Sequence, residues 1–138
     1  MKREDFVAMA RSYLGTPFHH QGRQPGVGLD CAGVVVVACW QCDHAVQDVI
    51  AYGRIPFKGL LEKSVAEYCD EIPVRGVLAG DVLLFTFRED PHHLAVVSHV
   101  APIRLIHAYS QVNKVVENSL DAYWQKRLCK CYRIRGIE

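Results

Sequence analysis

The sequence predicts an α+β fold, N-terminal helices packed on an antiparallel β-sheet, and three observations carry that expectation. Apolar residues recur at helical spacing near the start, a continuous apolar run follows Cys31, and from Gly80 onward short β-like runs alternate with turn residues. Helical texture first and a meander of strands second is the pattern of segregated α and β elements. With 138 residues, half of them hydrophobic, the chain reads as a single domain, 1–138, long enough to bury one core. No internal repeat, low-complexity tract or linker interrupts it.

Phe6, Val7, Met9, Ala10, Tyr13 and Leu14 place an amphipathic helix over about residues 2 to 14, ended by Gly15-Thr16-Pro17. From Pro17 to Leu29 the chain reads as loop, with three glycines, His19 and His20; so long a loop before a reactive side chain suits the wall of a substrate cleft. The run Cys31-Ala32-Gly33-Val34-Val35-Val36-Val37-Ala38 fits a buried helix or a buried strand by periodicity. Helix is the choice here, because its small residues allow close packing under a sheet. Residues 45 to 68 are mixed, with Pro56 as an interruption and a helix expected from about Lys58 to Cys69. Strands follow at 82–87, 93–100, 104–109, 114–118 and 128–134, with a turn at 88–91 and a helical turn over 120–126. Asp81, after a glycine at a strand start, reads as a turn cap.

Sixteen basic and fifteen acidic residues, well mixed, leave a formal net charge of +1, so bulk charge offers nothing to nucleic acid or an anionic membrane. Acids at Glu4 and Asp5 break the apolar core a signal peptide would need, and no run of about 18 apolar residues is present, so neither signal nor membrane span is expected. The six cysteines read as reduced thiols. Only Cys39-Trp40-Gln41-Cys42 has zinc-pair spacing, Cys129-Lys130-Cys131 does not, and neither a metal nor another cofactor is expected.

Cys31 stands where a loop becomes a buried element. A helix start favours thiolate, the nucleophilic form, which predicts a lowered pKa there. A core cysteine is the bland alternative, and a base within reach decides between them. Of the seven histidines, His93 and His107 fall on consecutive strands 14 residues apart. If the turn centres near residues 101–103, positions summing to about 203 oppose; His99 then faces Arg104, and His93 lies near Ala108 or Tyr109, close to His107. That pairs a base with an orienting partner. His92 is a rival to His93 if the register slips by one. Tyr109 and Trp124 read as core or cleft-lining aromatics.

Five segments in order, Leu14-Gly15-Thr16-Pro17-Phe18, Gly28-Leu29-Asp30-Cys31-Ala32-Gly33, Gly80-Asp81-Val82-Leu83-Leu84-Phe85, His93-Leu94-Ala95-Val96-Val97 and Leu105-Ile106-His107-Ala108, resemble the NlpC family of cell-wall cysteine peptidases. The stretch from Phe18 to Cys31 is most similar to the branch found in phage and prophage tail-gene clusters. The resemblance implies a papain-like fold that cleaves peptide bonds in peptidoglycan stem peptides, with Cys31 as nucleophile, His93 as base and His107 as its orienting partner. Phage tail proteins are implied as partners. It also implies that Asp30 helps bind the free amino end of the substrate.

Three residues depart from the family pattern. Phe18 replaces a tyrosine whose hydroxyl lies near the oxyanion site, so His19 or His20 would have to substitute for it. Ala32 replaces a serine, and Ala95 a glycine. Two other readings stand beside the peptidase: a non-catalytic tail-tip or binding subunit, and a thiol acyltransferase.

Overall fold

A computed structural model describes residues 1–48, 60–87 and 91–138. The first helix, α1 (Arg3–Arg11), buries Phe6, Val7 and Ala10. Its end is tighter than periodicity suggested: the N–H groups of Tyr13 and Leu14 bond three residues back, to Ala10 and Arg11. The long loop is not wholly irregular. It carries a small hairpin, β1 (Arg23–Gln24) against β2 (Gly28–Leu29), that delivers the chain to α2 (Cys31–Gln41).

Seven of the eleven α2 residues are buried, which makes it the central helix and explains why its sequence is apolar on every side. The helix α3 (Leu60–Tyr68) buries Leu61 and Val65. Its expected start near Lys58, Pro56 and most of the turn at 88–91 lie outside the described residues.

Strands β3 (Cys69–Ile72), β4 (Val82–Thr86), β5 (Pro91–His99), β6 (Arg104–Tyr109), β7 (Lys114–Ser119) and β8 (Leu128–Ile134) form one sheet in the order β3-β8-β4-β5-β6-β7, every pairing antiparallel. β4 to β7 is the expected meander, and β8 returns to the free side of β4. The short edge strand β3 was not anticipated, because Cys69-Asp70-Glu71-Ile72 carries two acids and follows a helix without a break.

Val82, Leu84, Leu94, Val96, Ile106, Ala108, Tyr132 and Ile134 face the helices in the larger core. Leu83, Phe85, Ala95, Val97, Leu105 and Cys131 form a second core on the other face, closed by Val77 and by Trp124 of α4 (Ala122–Gln125). Period-two alternation therefore gives the central strands β4, β5 and β6 two buried faces.

Two tethers position the site. Asp81 does more than cap a turn. Fully buried, it accepts the Leu78 N–H at 2.8 Å and also binds Arg3 at 2.9 Å and Arg133 at 2.8 Å, joining α1 to β8. The segment after α1 lies along the outer side of β7, where Gly15 and Val115, Val115 and Thr16, and Phe18 and Asn113 exchange backbone hydrogen bonds of 2.9–3.0 Å. Among the described residues no helix is long and apolar enough to cross a membrane.

Candidate active site

Asp30 builds the start of α2. Extended at φ −103°, it accepts the Gly33 N–H at 2.8 Å as the N-cap, the Gln21 N–H at 2.8 Å and the Arg23 guanidinium at 2.8 Å. Asp30 is only 3% exposed, so within this structure it ties the hairpin to the helix. A Cβ on Gly33 would stand 2.4 Å from the Gly22 carbonyl oxygen, and this close approach is why glycine occupies the first turn. Phe18 is half-buried against the larger core, its backbone held by Asn113. His19 is exposed, with Nδ1 3.0 Å from the His20 carbonyl oxygen, and His20 is half-buried.

The Cys31 thiol sits against β5. Sγ is 3.9 Å from the His92 carbonyl oxygen, and the Leu94 N–H lies on it as well. β5 and β6 pair at Val96–Ile106, Val97–Leu105 and His99–Arg104, so the thiol occupies strand backbone beyond the end of that ladder. Burial, with the Asp30 charge behind it, pushes the thiol up to about 12, against the Leu94 and Ala32 N–H groups and Arg23, which pull it down.

This reverses the lowered pKa expected at a helix start. Removal from water is the larger cause, and the Asp30 charge beside the thiol adds to it, so that together they outweigh the partial charges on a few N–H groups. Among the described residues the thiol has no hydrogen bond to the imidazole of His93.

The two histidines are together. His93 Nε2 and His107 Nδ1 are 2.7 Å apart, and His107 Nε2 is 2.6 Å from Asn118 Oδ1. The observed β5–β6 register sums to 202, then 203 past a bulge at Val97/His99, close to the expected value. His93 is 6% exposed and His107 fully buried. Trp124 stacks on His93 at 5.4 Å between ring centres and Tyr109 on His107 at 5.8 Å, with Phe85 and Phe87 beside His93.

Burial and the neighbouring His107 and His92 hold His93 well below the ordinary imidazole range. Burial lowers His107 too, partly offset by Asn118. Both imidazoles are thus neutral near pH 7. They share the sheet face of Phe85 and Trp124, whereas Leu94 faces α2. The His92 ring packs on Phe87, and its backbone carbonyl is what meets the thiol.

Asn118 was missed. It sits opposite Leu105 on β7, diagonal to His107, within reach across adjacent strands. The run Val115-Val116-Glu117-Asn118-Ser119 gave no alternation to set its polar positions apart. Among the described residues no group of three or more His, Cys, Asp or Glu is disposed to hold a metal ion.

The sequence matches the NlpC/P60 family over residues 15–133, which include the thiol and both histidines. The chain belongs to the NlpC/P60 family. A curated relative, dipeptidyl-peptidase 6 of Lysinibacillus sphaericus, is 31% identical over 121 residues, 86% of this chain but 37% of that protein.

Solved structures of NlpC/P60 proteins share the fold. An NLP/P60 protein similar to a lipoprotein, from Staphylococcus aureus, has TM-score 0.74 and 20% identity over 96% of this chain and 41% of its own. The NlpC/p60 domain of the peptidoglycan hydrolase SagA has TM-score 0.70 and 22% identity over 97% and 100%. RipD from Mycobacterium tuberculosis, described as a non-catalytic NlpC/p60 domain protein adapted to peptidoglycan binding, has TM-score 0.64 and 14% identity over 97% and 96%. The chain thus spans about two fifths of the curated relative. It matches the catalytically described and the non-catalytic members alike in fold.

Proposed function

We propose that this NlpC/P60 chain is a cysteine peptidase hydrolysing peptide bonds in peptidoglycan stem peptides, with Cys31 as nucleophile, His93 as base and His107 as the residue that orients it. The observation that carries the reading is the buried pair His93–His107, on the strand whose backbone holds the Cys31 thiol. Two imidazoles taken out of water cost stability that packing alone would not require. The peptidase and peptidoglycan-hydrolase names of relatives support the substrate class.

The resting site holds a neutral thiol, so deprotonation accompanies attack instead of preceding it. Sγ turns from the His92 carbonyl, gives its proton to His93 Nδ1, the ring nitrogen His107 leaves unused, and bonds to the scissile carbonyl carbon. The Cys31 backbone N–H at the start of α2 supports the oxyanion. As the tetrahedral adduct collapses, the C–N bond breaks and His93 returns the proton to the leaving amine. Water then adds to the thioester, gives a proton to His93, and the acid departs as the thiol is restored. Asp30, Phe18, His19 and His20 line the approach in this proposal, Asp30 by ordering the loop.

Digestion of muropeptides followed by mass analysis tests it. The native chain should release stem-peptide fragments and Cys31→Ala none. The neutral thiol and the missing hydroxyl at Phe18 favour one second reading, a peptidoglycan-binding domain without turnover; it predicts retained muropeptide and no fragments from either protein. Trapping of Cys31 by a lipid acyl donor, with muropeptides left intact, would instead mark an acyltransferase. The finer setting, a hydrolase carried in a phage or prophage tail, rests on the Phe18–Cys31 segment. Mass spectrometry of particles induced from the encoding strain should then find the chain among tail proteins.

A further inference from the structure

We infer that Asn118 is a positioning residue that fixes the proton positions of both histidines, leaving the bare, basic nitrogen of His93 at Nδ1. The inference deepens the peptidase reading and rests on it for its functional meaning. The derivation starts from the amide. Asn118 Nδ2 donates to the Ser119 carbonyl at 3.1 Å, and a carbonyl can only accept, so the other end of the amide, Oδ1, faces His107. Oδ1 can also only accept, hence His107 Nε2 carries a proton. A neutral imidazole has one N–H, so His107 Nδ1 is a lone pair. At 2.7 Å that lone pair must receive a hydrogen from His93 Nε2, and the neutral His93 ring is left with its lone pair on Nδ1.

The reversed amide would give the opposite result. An NH₂ group facing His107 Nε2 would put the proton of His107 on Nδ1, make His93 Nε2 the acceptor, and place the remaining proton of His93 on Nδ1, where no proton could be taken from a thiol. Asn118 touches neither thiol nor substrate in this scheme. It acts through two imidazoles, and the Ser119 carbonyl is the anchor of the whole chain.

The test is nitrogen-15 NMR of the full chain, labelled at histidine, at pH 8.5, where both rings are neutral. The native protein and Asn118→Asp, whose carboxylate can only accept, should show His93 and His107 protonated at Nε2. Asn118→Leu, which has no acceptor, should raise the Nδ1–H form of His93 from undetectable to a measurable fraction. Its kcat for muropeptide cleavage should fall by that same fraction, about twofold where half of the His93 rings switch, with KM unchanged. Nδ1–H on His93 in the native protein overturns the inference, and so does Asn118→Leu with both rings still locked. The outcomes separate from those of the peptidase reading. Locked rings in a protein that cleaves nothing would sustain the inference and sink the peptidase, whereas cleavage with His93 protonated at Nδ1 would do the reverse.

Discussion

At Cys31 two opposed influences meet on one sulfur. The helix start and the Leu94 N–H favour thiolate, while burial and Asp30 oppose it and win. The other thiols are also raised by burial, Cys39 and Cys69 to about 12, so acidity does not single out Cys31. Labelling with iodoacetamide at pH 7 should accordingly reach exposed Cys129 first, and the Cys31 rate should climb about tenfold per pH unit between pH 7 and 9, as the thiolate fraction does. Peptide mapping by mass spectrometry checks this, and Cys31 labelling first at pH 6 would reveal a thiolate–imidazolium pair instead. Phe18→Tyr asks a separate question. If the missing hydroxyl is an oxyanion donor, restoring it should raise kcat by about 10²-fold or more. The pairing of His93 with His107 and the place of Cys31 at the start of α2 were legible in the sequence, because the histidine spacing matched neighbouring strands and a loop runs there into an apolar element. The charge state of the thiol was not, since it depends on how deeply the chain buries it.

Among the elements, α2 shows how a local cap and a close contact divide the work. Asp30 closes the helix and pins the hairpin, so Asp30→Ala should cost about 1–3 kcal/mol in urea unfolding and free the loop carrying His19 and His20. Gly33→Ala sets a methyl group against the Gly22 carbonyl and should cost a similar 1–3 kcal/mol through overpacking, with the Asp30 cap still in place. If Gly33→Ala is neutral, the hairpin is not seated on the helix as described. Periodicity alone left α2 open between helix and strand, and the small residues that argued for helix are the ones the hairpin and sheet press upon. The hairpin itself was invisible, because two-residue strands leave no pattern to read. The edge strand β3 escaped for a related reason: its pairing with β8 is long-range and its residues are poor strand formers.

For the molecule as a whole, buried neutral imidazoles couple stability to pH. Their folded pKa values lie below the unfolded value of about 6.5, so stability is at its full value above that pH and drains away as pH falls toward the folded values, where the unfolded chain takes up protons that the folded one refuses. Urea midpoints should decline from about pH 6.5 downward, by up to about 1.4 kcal/mol per pH unit for each imidazole held neutral, and His93→Gln with His107→Gln should flatten the decline between pH 6.5 and 5. An unchanged slope in the double variant would assign the effect elsewhere. Asp81→Ala removes the common partner of Arg3 and Arg133 and should cost about 3–5 kcal/mol, read from the same curves. The strip from Gly15 to Phe18 along the outer side of β7 has a further consequence, for the order of events during folding. Its hydrogen bonds join residues about 100 positions apart, whereas β4 to β7 fold through near neighbours, so loop-closure entropy places this seam late. A growing chain would shape the strand meander first, and the N-terminal strip would be fastened to it only when that seam shuts.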